Sequence, residues 1–308
     1  MRTLLAILFF AGSAHAAAPE KPDPNPLRQA AQELFRAERK VPGILRGAEA
    51  HFDFANPENP QNTDRAVLYL HGFSASPVES YPLTENLARR WKANAYFHRF
   101  AGHGLEGTEG LRGVTVTQWV QDVRLALDRA RRIGKKVVVI ATSTGASLAL
   151  SEISVHPENI EALVLQSPNF GLKAKSSELL LAPYPIAWLL GALVIGPYRS
   201  FEPLNVRQAL WWTTRYPFTA AIEVMRAVSL ARRASLEELR VPTLVLYSSR
   251  DNVVNVEKVK EAFRRIAAAK KQLSEVKNAE NDHVLTGDIL SPSGTAEVEK
   301  VIKDFVGP

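Results

Sequence analysis

The chain contains no cysteine among its 308 residues. Disulfide bonds, zinc–thiolate sites, iron–sulfur clusters and a cysteine nucleophile are therefore all excluded. Hydrophobic residues make up 46% of the sequence and charged residues 23%, close to the average of globular proteins. This composition excludes a disordered chain, a collagen-like repeat and a coiled coil, and the length allows one large domain or two ordinary ones.

Positive charge is in modest excess. The chain has 38 lysines and arginines and 32 aspartates and glutamates, which gives a formal net charge of +6. An excess of this size can be a general property of the surface. It does not indicate nucleic-acid binding, and no nucleic-acid partner is expected. Peripheral contact with an anionic lipid surface stays open.

The first residues have the pattern of a secretory signal peptide. Arg2 gives a basic start, Leu4 to Ala11 form a short apolar run, and Ala14 and Ala16 form an A-x-A cleavage site. The run is too short to cross about 30 Å of hydrocarbon, which takes roughly 20 residues. We therefore predict that residues 1–16 are a signal peptide cleaved after Ala16, and that the protein is exported, either periplasmic or secreted from a bacterium.

A second apolar stretch, Leu179 to Tyr198, contains no charged residue and is long enough to raise the alternative of a membrane-embedded protein. Prolines and glycines interrupt it at positions 183, 185, 191, 196 and 197. Because such residues break a straight helix, we predict a short apolar helical segment that packs over another part of the fold.

Short apolar runs alternate with helical patterns along most of the chain. Near-continuous apolar runs are typical of strands that are covered on both faces. Their alternation with helical patterns predicts right-handed βαβ units and a mostly parallel sheet with helices on both faces. The predicted strands are 66–70, 95–100, 137–140, 162–166, 243–247 and 273–276, and the predicted helices are 27–39, 81–92, 117–132, 146–155 and 256–268.

One interval breaks this alternation, because the chain from Gln166 to Thr243 is far longer than a crossover requires. Bare loops of that length are uncommon inside domains, so we predict an α-helical cap inserted between late strands. The predicted organisation is a signal peptide (1–16), an N-terminal lead-in with the first strands (17–64), a core (65–167 and 241–308) and the cap (168–240). Residues 17–27 are predicted to be a flexible lead-in.

The strongest local motif is Ala141-Thr-Ser143-Thr144-Gly145, which joins an apolar strand to a helical pattern. A serine at such a strand–turn–helix junction is typical of a nucleophile elbow. The turn needs small residues two positions before and after the serine, and Ala141 and Gly145 meet that need. Alanine at position 141 departs from the usual glycine. The alternative is an ordinary turn in which the serine caps a helix.

Three further loops follow predicted strands. His71-Gly72-Phe73 could aim the amide of Phe73, together with that of Thr144, at an oxyanion, while His71 itself is expected to be a structural hydrogen-bonding residue. Asp251 follows the strand 243–247, and His283 follows the strand 273–276. Asp282, next to His283, is the second candidate for the acid.

Ser143, Asp251 and His283 are therefore each placed at the carboxyl end of a predicted strand. A serine hydroxyl is a poor nucleophile unless an imidazole takes its proton. The imidazole in turn needs a buried carboxylate to fix its tautomer and stabilise its cation. The three residue types occur together in the order nucleophile, acid, base.

On these motifs the sequence resembles the α/β-hydrolases, in particular bacterial carboxylesterases and monoacylglycerol lipases, from about Arg65 to the C-terminus. The resemblance is carried by HGFSAS (71–76), AGHG (101–104), ATSTG (141–145), SSRDNVV (248–254) and DHVLTGD (282–288). It implies that Ser143 is the nucleophile, His283 the base and Asp251 its orienting acid, with the amides of Phe73 and Thr144 as the oxyanion hole. The cap matches no motif of that family.

These observations predict a serine esterase that needs no cofactor and no metal and acts on a small ester or lipid. Trp188, Trp211 and Trp212, with the many leucines of the cap, indicate that an acyl chain is the recognised group. Short-to-medium acyl esters or monoacylglycerols are the expected substrates. A thioesterase or a small-amide hydrolase or peptidase with the same triad, and a non-catalytic module that binds a lipid or a partner, remain alternatives.

Overall fold

The computed structural model describes Asp23 and residues 25–308. The predicted signal peptide and most of the predicted lead-in lie outside these residues. Helix α1 begins at Pro26, where the side chain of Asn25 accepts hydrogen bonds from the amides of Leu27 and Arg28. The lead-in therefore ends two residues earlier than predicted, because asparagine is a good N-cap and proline suits the first turn.

Strands and helices alternate through the core. The strands are β1 (His51–Asp53), β2 (Thr63–Leu70), β3 (Asn94–His98), β4 (Gly134–Thr142), β5 (Ile160–Gln166), β6 (Tyr198–Ser200), β7 (Arg215–Pro217), β8 (Thr243–Tyr247) and β9 (Lys271–Glu275). The helices are α1 (Pro26–Glu38), α2 (Leu83–Trp91), α3 (Val116–Ile133), α4 (Ser143–Ile153), α5 (Tyr184–Val194), α6 (Val206–Trp211), α7 (Phe218–Arg233), α8 (Val256–Arg265) and α9 (Pro292–Val306), with 3-10 turns at Pro77–Ser80 and Lys175–Leu181.

Seven strands form one sheet in the order β1-β3-β2-β4-β5-β8-β9. Every neighbouring pair is parallel except β1 and β3, which are antiparallel. The sheet is covered on both faces, since Leu68 and Leu70 of β2 pack with α3 and α4, whereas Val67 and Tyr69 pack with α2 and α9. The predicted fold class, a mostly parallel sheet with helices on both faces, is confirmed.

Most predicted elements differ from the observed ones by one to three residues at an end, and two of these differences are informative. The strand predicted to reach Phe100 ends at His98, because the chain leaves the sheet at Arg99, whose guanidinium pairs with the buried carboxylate of Glu38. The helix predicted to begin at Ala146 begins at Ser143 itself. The serine is therefore the first residue of α4.

The long insertion between β5 and β8 contains a 3-10 turn, α5, α6 and α7, together with the antiparallel pair β6–β7. It is thus mostly helical, as predicted, with a small two-stranded addition. Helix α7 connects it to the core: Val224 packs with the main core, while Ile222 and Met225 pack with Leu180 and Ala187 of the insertion. We keep the name cap for residues 168–240.

The uncharged stretch from Leu179 to Tyr198 is divided in the structure. It covers the end of a 3-10 turn, the eleven-residue helix α5 and the first residue of β6. Across Asp23 and residues 25–308, none of the helices has the length and hydropathy that a membrane crossing requires.

Candidate active site

Ser143, Asp251 and His283 lie together at the carboxyl edge of the sheet. They follow β4, β8 and β9, and parallel strands bring their carboxyl ends to one edge. All three residues are buried, with 7%, 2% and 9% of their surface exposed. The structure therefore brings together the three residues that the sequence placed after separate strands.

Ser143 occupies a strained turn between β4 and α4. Its φ of 52° lies in the left-handed region, which side-chain-bearing residues rarely adopt. A Cβ on Gly145 would lie 2.3 Å from the carbonyl oxygen of His71, so only glycine lets α4 come this close to the end of β2. Ala141 is a fully buried residue of β4, where a methyl group is accommodated in the core.

A continuous set of hydrogen bonds joins the three side chains. His283 Nε2 is 2.9 Å from Ser143 Oγ, and His283 Nδ1 is 2.8 Å from Asp251 Oδ2. The second carboxylate oxygen, Asp251 Oδ1, accepts from the amides of Val253 and Val254 at 2.8 and 2.9 Å. Because Oδ1 is held by the backbone, Oδ2 is fixed towards the imidazole, which then keeps its proton on Nδ1 and presents Nε2 to the serine.

Asp282, the second candidate for the acid, is directed elsewhere. Its Oδ1 accepts from Ser248 Oγ at 3.0 Å and from Arg250 Nε at 2.9 Å. The backbone beside His283 is held instead by Asn281, whose side-chain oxygen accepts from the amides of His283 and Val284. The structure thus pairs His283 with Asp251 and not with its neighbour in sequence.

Phe73 and Thr144 both line the cavity next to Ser143. The Phe73 ring makes edge contacts with His103, Trp119 and Tyr216, at centroid distances of 5.6, 5.9 and 4.9 Å. Thr213 in the cap donates its amide to the carbonyl of Ser74 at 2.7 Å. The loop that carries the Phe73 amide is therefore held both by aromatic packing and by the cap.

His71 supports the same loop as a neutral side chain. Its Nε2 accepts from the amide of Phe100 at 3.1 Å, so Nδ1 carries the proton and donates to the carbonyl of Gly72 at 2.8 Å. Burial holds the pKa of His71 well below its usual value, and the neighbouring His103 adds to this shift. The Gly72 carbonyl belongs to the same peptide group as the Phe73 amide, so this bond helps to orient that amide.

A cavity of about 660 Å³ extends from Ser143 and His283 into the cap. Trp212 lines it, whereas Trp188 and Trp211 are not among its lining residues. Trp188 is 47% exposed and packs against Phe218, and Trp211 Nε1 donates to the carbonyl of Arg46. Of the three tryptophans expected to contact substrate, Trp188 and Trp211 are therefore misplaced by that expectation, and Trp212 stays a candidate. Aliphatic side chains form much of the remaining wall: Leu172, Leu179, Leu180, Leu190, Val194, Ile195, Leu204, Val224, Val253, Val284 and Leu290.

Glu79 is a buried cavity residue that the sequence interpretation missed. It lies on the 3-10 turn after the oxyanion loop, is 3% exposed, and lines the cavity beside Ser143 and His283. The sequence feature that could have identified Glu79 is its charge, because it is the only acidic residue between His71 and Tyr81. In the part of the chain that the structure describes, no three His, Cys, Asp or Glu side chains form a group able to hold a metal ion.

Comparison with known proteins shows the family to which the chain is similar. Residues 61–287 match the family described as serine aminopeptidase, S33. The chain is 23% identical over 254 residues to the thermostable monoacylglycerol lipase of Bacillus sp. strain H-257, covering 81% of this chain and 92% of that protein.

Solved structures share the fold. A metagenome-derived lipolytic enzyme superimposes with a TM-score of 0.70 at 19% identity, covering 85% of this chain and 98% of that chain. The monoacylglycerol lipase of Paleococcus ferrophilus superimposes with a TM-score of 0.62 at 17% identity, covering 83% and 97%. These matches confirm the fold that the sequence motifs implied.

Proposed function

The chain belongs to the serine aminopeptidase S33 family, and we propose that it cleaves short-to-medium acyl esters or monoacylglycerols through an acyl-enzyme. At the level of class, the predicted α/β-hydrolase of the esterase and lipase type is confirmed. The observation that carries the finer proposal is the hydrogen-bonded set Ser143–His283–Asp251 at the base of an apolar cavity. The similarity to a monoacylglycerol lipase supports it.

In the proposed reaction, Ser143 Oγ attacks the ester carbonyl while His283 Nε2 takes the hydroxyl proton. Asp251 stabilises the imidazolium that forms. The developing oxyanion accepts hydrogen bonds from the amides of Phe73 and Thr144. The imidazolium then protonates the leaving alcohol, and a water molecule, deprotonated by His283, releases the carboxylic acid and restores Ser143.

The cavity wall supports an acyl chain as the recognised group. Eight leucine, isoleucine and valine side chains of the cap line the cavity: Leu172, Leu179, Leu180, Leu190, Val194, Ile195, Leu204 and Val224. Each methylene that such a wall takes out of water contributes about 0.8 kcal/mol. A chain of several carbons would therefore gain binding free energy from contact with the cap.

A fluorophosphonate probe with an ester panel tests this proposal. The wild-type protein should take up one probe at Ser143, seen by mass spectrometry, and should hydrolyse p-nitrophenyl esters and monoacylglycerols. Ser143→Ala is the control that should not be labelled. An acyl thioester and an amino-acid p-nitroanilide tested in parallel separate the thioesterase and peptidase alternatives. Folded wild-type protein without an adduct and without hydrolysis would favour the binding-module alternative.

We further propose that the outer face of the cap contacts an anionic lipid surface. Residues 168–240 carry nine lysines and arginines against five glutamates. Exposed apolar side chains cluster on the same segment, and three of them (Leu179, Val194 and Leu204) also line the cavity. Such a patch with basic surroundings suits a lipid surface. The exposed set is Leu179, Tyr184, Ile186, Trp188, Leu189, Leu193, Val194, Leu204, Val206 and Leu210.

Vesicle sedimentation tests the lipid contact. The protein should bind vesicles of phosphatidylglycerol and phosphatidylcholine more strongly than phosphatidylcholine alone. Leu193→Glu should weaken this binding without changing hydrolysis of a soluble ester, because Leu193 is 75% exposed and is not a lining residue. Val155→Glu, at a 65% exposed site on the core, is the matched control. Equal binding by both variants would contradict the proposal.

Export is proposed together with this function. A chain cleaved after Ala16 would begin at Ala17 when isolated from the periplasm or medium. N-terminal sequencing of the isolated protein tests this, and a chain that retains Met1 to Ala16 there would contradict it.

A further inference from the structure

Glu79 is a buried carboxyl group that the proposed reaction does not use. In the part of the chain described by the structure, no lysine or arginine forms an ion pair with it, and its side chain accepts hydrogen bonds from the Gly72 amide and the Tyr69 hydroxyl. Burial raises its pKa, an effect that the Gly72 amide, the Tyr69 hydroxyl and nearby His283 partly offset. Burying an acidic side chain without a cationic partner costs free energy, and Glu79 is buried in this way beside the triad.

One oxygen of Glu79 links the oxyanion loop to the strand that carries the nucleophile. Oε2 accepts from the amide of Gly72 at 2.7 Å and from the hydroxyl of Tyr69 at 2.8 Å. Tyr69 Oη is in turn 3.1 Å from Thr142 Oγ1. Gly72 immediately precedes Phe73, and Thr142 immediately precedes Ser143. The two backbone amides proposed for the oxyanion hole thus lie on segments that meet at a single carboxylate.

Space around this link is limited. A Cβ on Gly72 would lie 3.2 Å from Glu79 Oε1 and 3.4 Å from Ser143 Cβ. A Cβ on Gly287 would lie 2.2 Å from the Glu79 carbonyl oxygen, so the turn that carries Glu79 also packs tightly against the loop after His283. The carboxyl group is therefore packed against the oxyanion loop at Gly72, while the backbone of the turn that carries it is packed against Gly287.

We propose that Glu79 is a positioning residue, whose carboxyl group sets the spacing between the Phe73 and Thr144 amides through Gly72 on one side and Tyr69 and Thr142 on the other. The inference rests on the proposed function of these amides. Oxyanion donors act when they are preorganised around the charge of the transition state. Loss of Glu79 leaves the Gly72 amide without its acceptor and lets the loop relax, which affects kcat more than KM.

The variants Glu79→Gln, Glu79→Ala and Tyr69→Phe test this role. In the glutamine variant the amide oxygen can still accept from Gly72 and Tyr69, so kcat should stay within about threefold of wild type. The alanine variant should lose about 30-fold or more in kcat with KM changed less than threefold. Tyr69→Phe removes the hydroxyl that joins Glu79 to Thr142 but keeps the bond between Gly72 and Glu79, and it should lower kcat by about 3- to 10-fold. Ser80→Ala, a change in the same buried turn, is the control.

Affinity for an alkyl trifluoromethyl ketone gives a readout that a purely structural role would not move. Its tetrahedral adduct places an oxyanion between the two amides, so its inhibition constant should rise in parallel with the loss of kcat/KM across the variants. Glu79→Ala with wild-type kcat and inhibition constant would overturn the proposal. If Glu79→Ala does not fold, Tyr69→Phe decides: a kcat within twofold of wild type would overturn it. Wild-type protein that hydrolyses no ester contradicts the proposed function instead.

Discussion

Asp251 Oδ2 lies 2.8 Å from His283 Nδ1, while Oδ1 of the same carboxylate is held by two backbone amides. The carboxylate is 2% exposed, so its charge acts on the imidazole with little screening by water. This arrangement makes Asp251, and not Asp282, the acid partner of His283.

Asp251→Asn should lower kcat by about 10³- to 10⁴-fold with a much smaller change in KM, because an amide can stabilise the wrong tautomer of His283 and cannot stabilise its cation. Asp282→Asn is the matched control, since Asp282 contacts Ser248 and Arg250, and it should retain most activity. Steady-state kinetics on a p-nitrophenyl ester measures both. Equal losses in the two variants would contradict the assignment.

The turn that carries Ser143 can be tested by two substitutions on either side of the serine. Gly145→Ala places a methyl group 2.3 Å from the His71 carbonyl oxygen, a backbone atom that cannot rotate away. We expect a large loss of stability and at least about a 100-fold loss of activity. Ala141→Gly, four residues earlier, should cost only about 0.5–1 kcal/mol of stability and retain activity. Thermal melting and ester hydrolysis report both; wild-type behaviour of Gly145→Ala would show that this contact is not limiting.

Cavity length should control acyl-chain preference. Leu190 lines the cavity, whereas its neighbour Leu189 is 53% exposed and is not a lining residue. Leu190→Trp should reduce kcat/KM for a dodecanoyl ester by about tenfold or more while leaving the acetyl ester within about threefold, since only the long chain reaches the added ring. Leu189→Trp should leave the whole chain-length profile unchanged. An unchanged profile in Leu190→Trp would argue against an acyl chain in the cap.

The raised pKa of Glu85 should make the free energy of unfolding depend on pH. Burial raises its pKa to about 7, with Asp53 and Asp288 adding to the shift and Arg89 opposing it, and its Oε2 has no hydrogen-bond partner. Because the folded-state pKa lies above the ordinary value of 4.5, its contribution to stability is lost as the pH rises from about 4.5 to about 7. Glu85→Gln should therefore gain up to about 3 kcal/mol relative to wild type between pH 4.5 and pH 8.

Urea denaturation of the wild-type and Glu85→Gln proteins at these two pH values measures the difference. Glu58→Gln, a change at an exposed loop carboxylate, is the control and should track the wild type at both. The prediction for Glu85 fails if its variant also tracks the wild type.

Much of the core was predictable because its strands are short, nearly continuous apolar runs between helical patterns. The strand predicted at 243–247 matches β8 residue for residue. The start of α4 was predicted three residues late, because Ser143 begins the helix only through a left-handed φ that the packing of Gly145 against β2 imposes. Strain of this kind depends on a tertiary contact and leaves no trace in hydrophobic spacing.

Much of the site was also predictable from the sequence. The loops bearing Ser143, Asp251 and His283 follow strands, so topology alone placed them at one edge. The resemblance placed Asp251 ahead of Asp282 as the acid, and in the structure His283 Nδ1 lies 2.8 Å from Asp251 Oδ2. The cap was harder to predict from the sequence. The exposure of Trp188 and the burial of Trp212 follow from how α5, α6 and β7 pack and not from their composition. Glu79 was missed because its partners, Gly72 and Tyr69, become relevant only in three dimensions.

The rate of p-nitrophenyl butyrate hydrolysis by Ser143→Ala, relative to the wild-type protein, tests nucleophilic catalysis by Ser143 most directly. Substitution by alanine removes only the hydroxyl that lies 2.9 Å from His283 Nε2, so the fold should be retained by circular dichroism and melting temperature. We predict that kcat falls by about 10⁴-fold or more. A folded Ser143→Ala protein that hydrolyses the ester at the wild-type rate would contradict nucleophilic catalysis by Ser143.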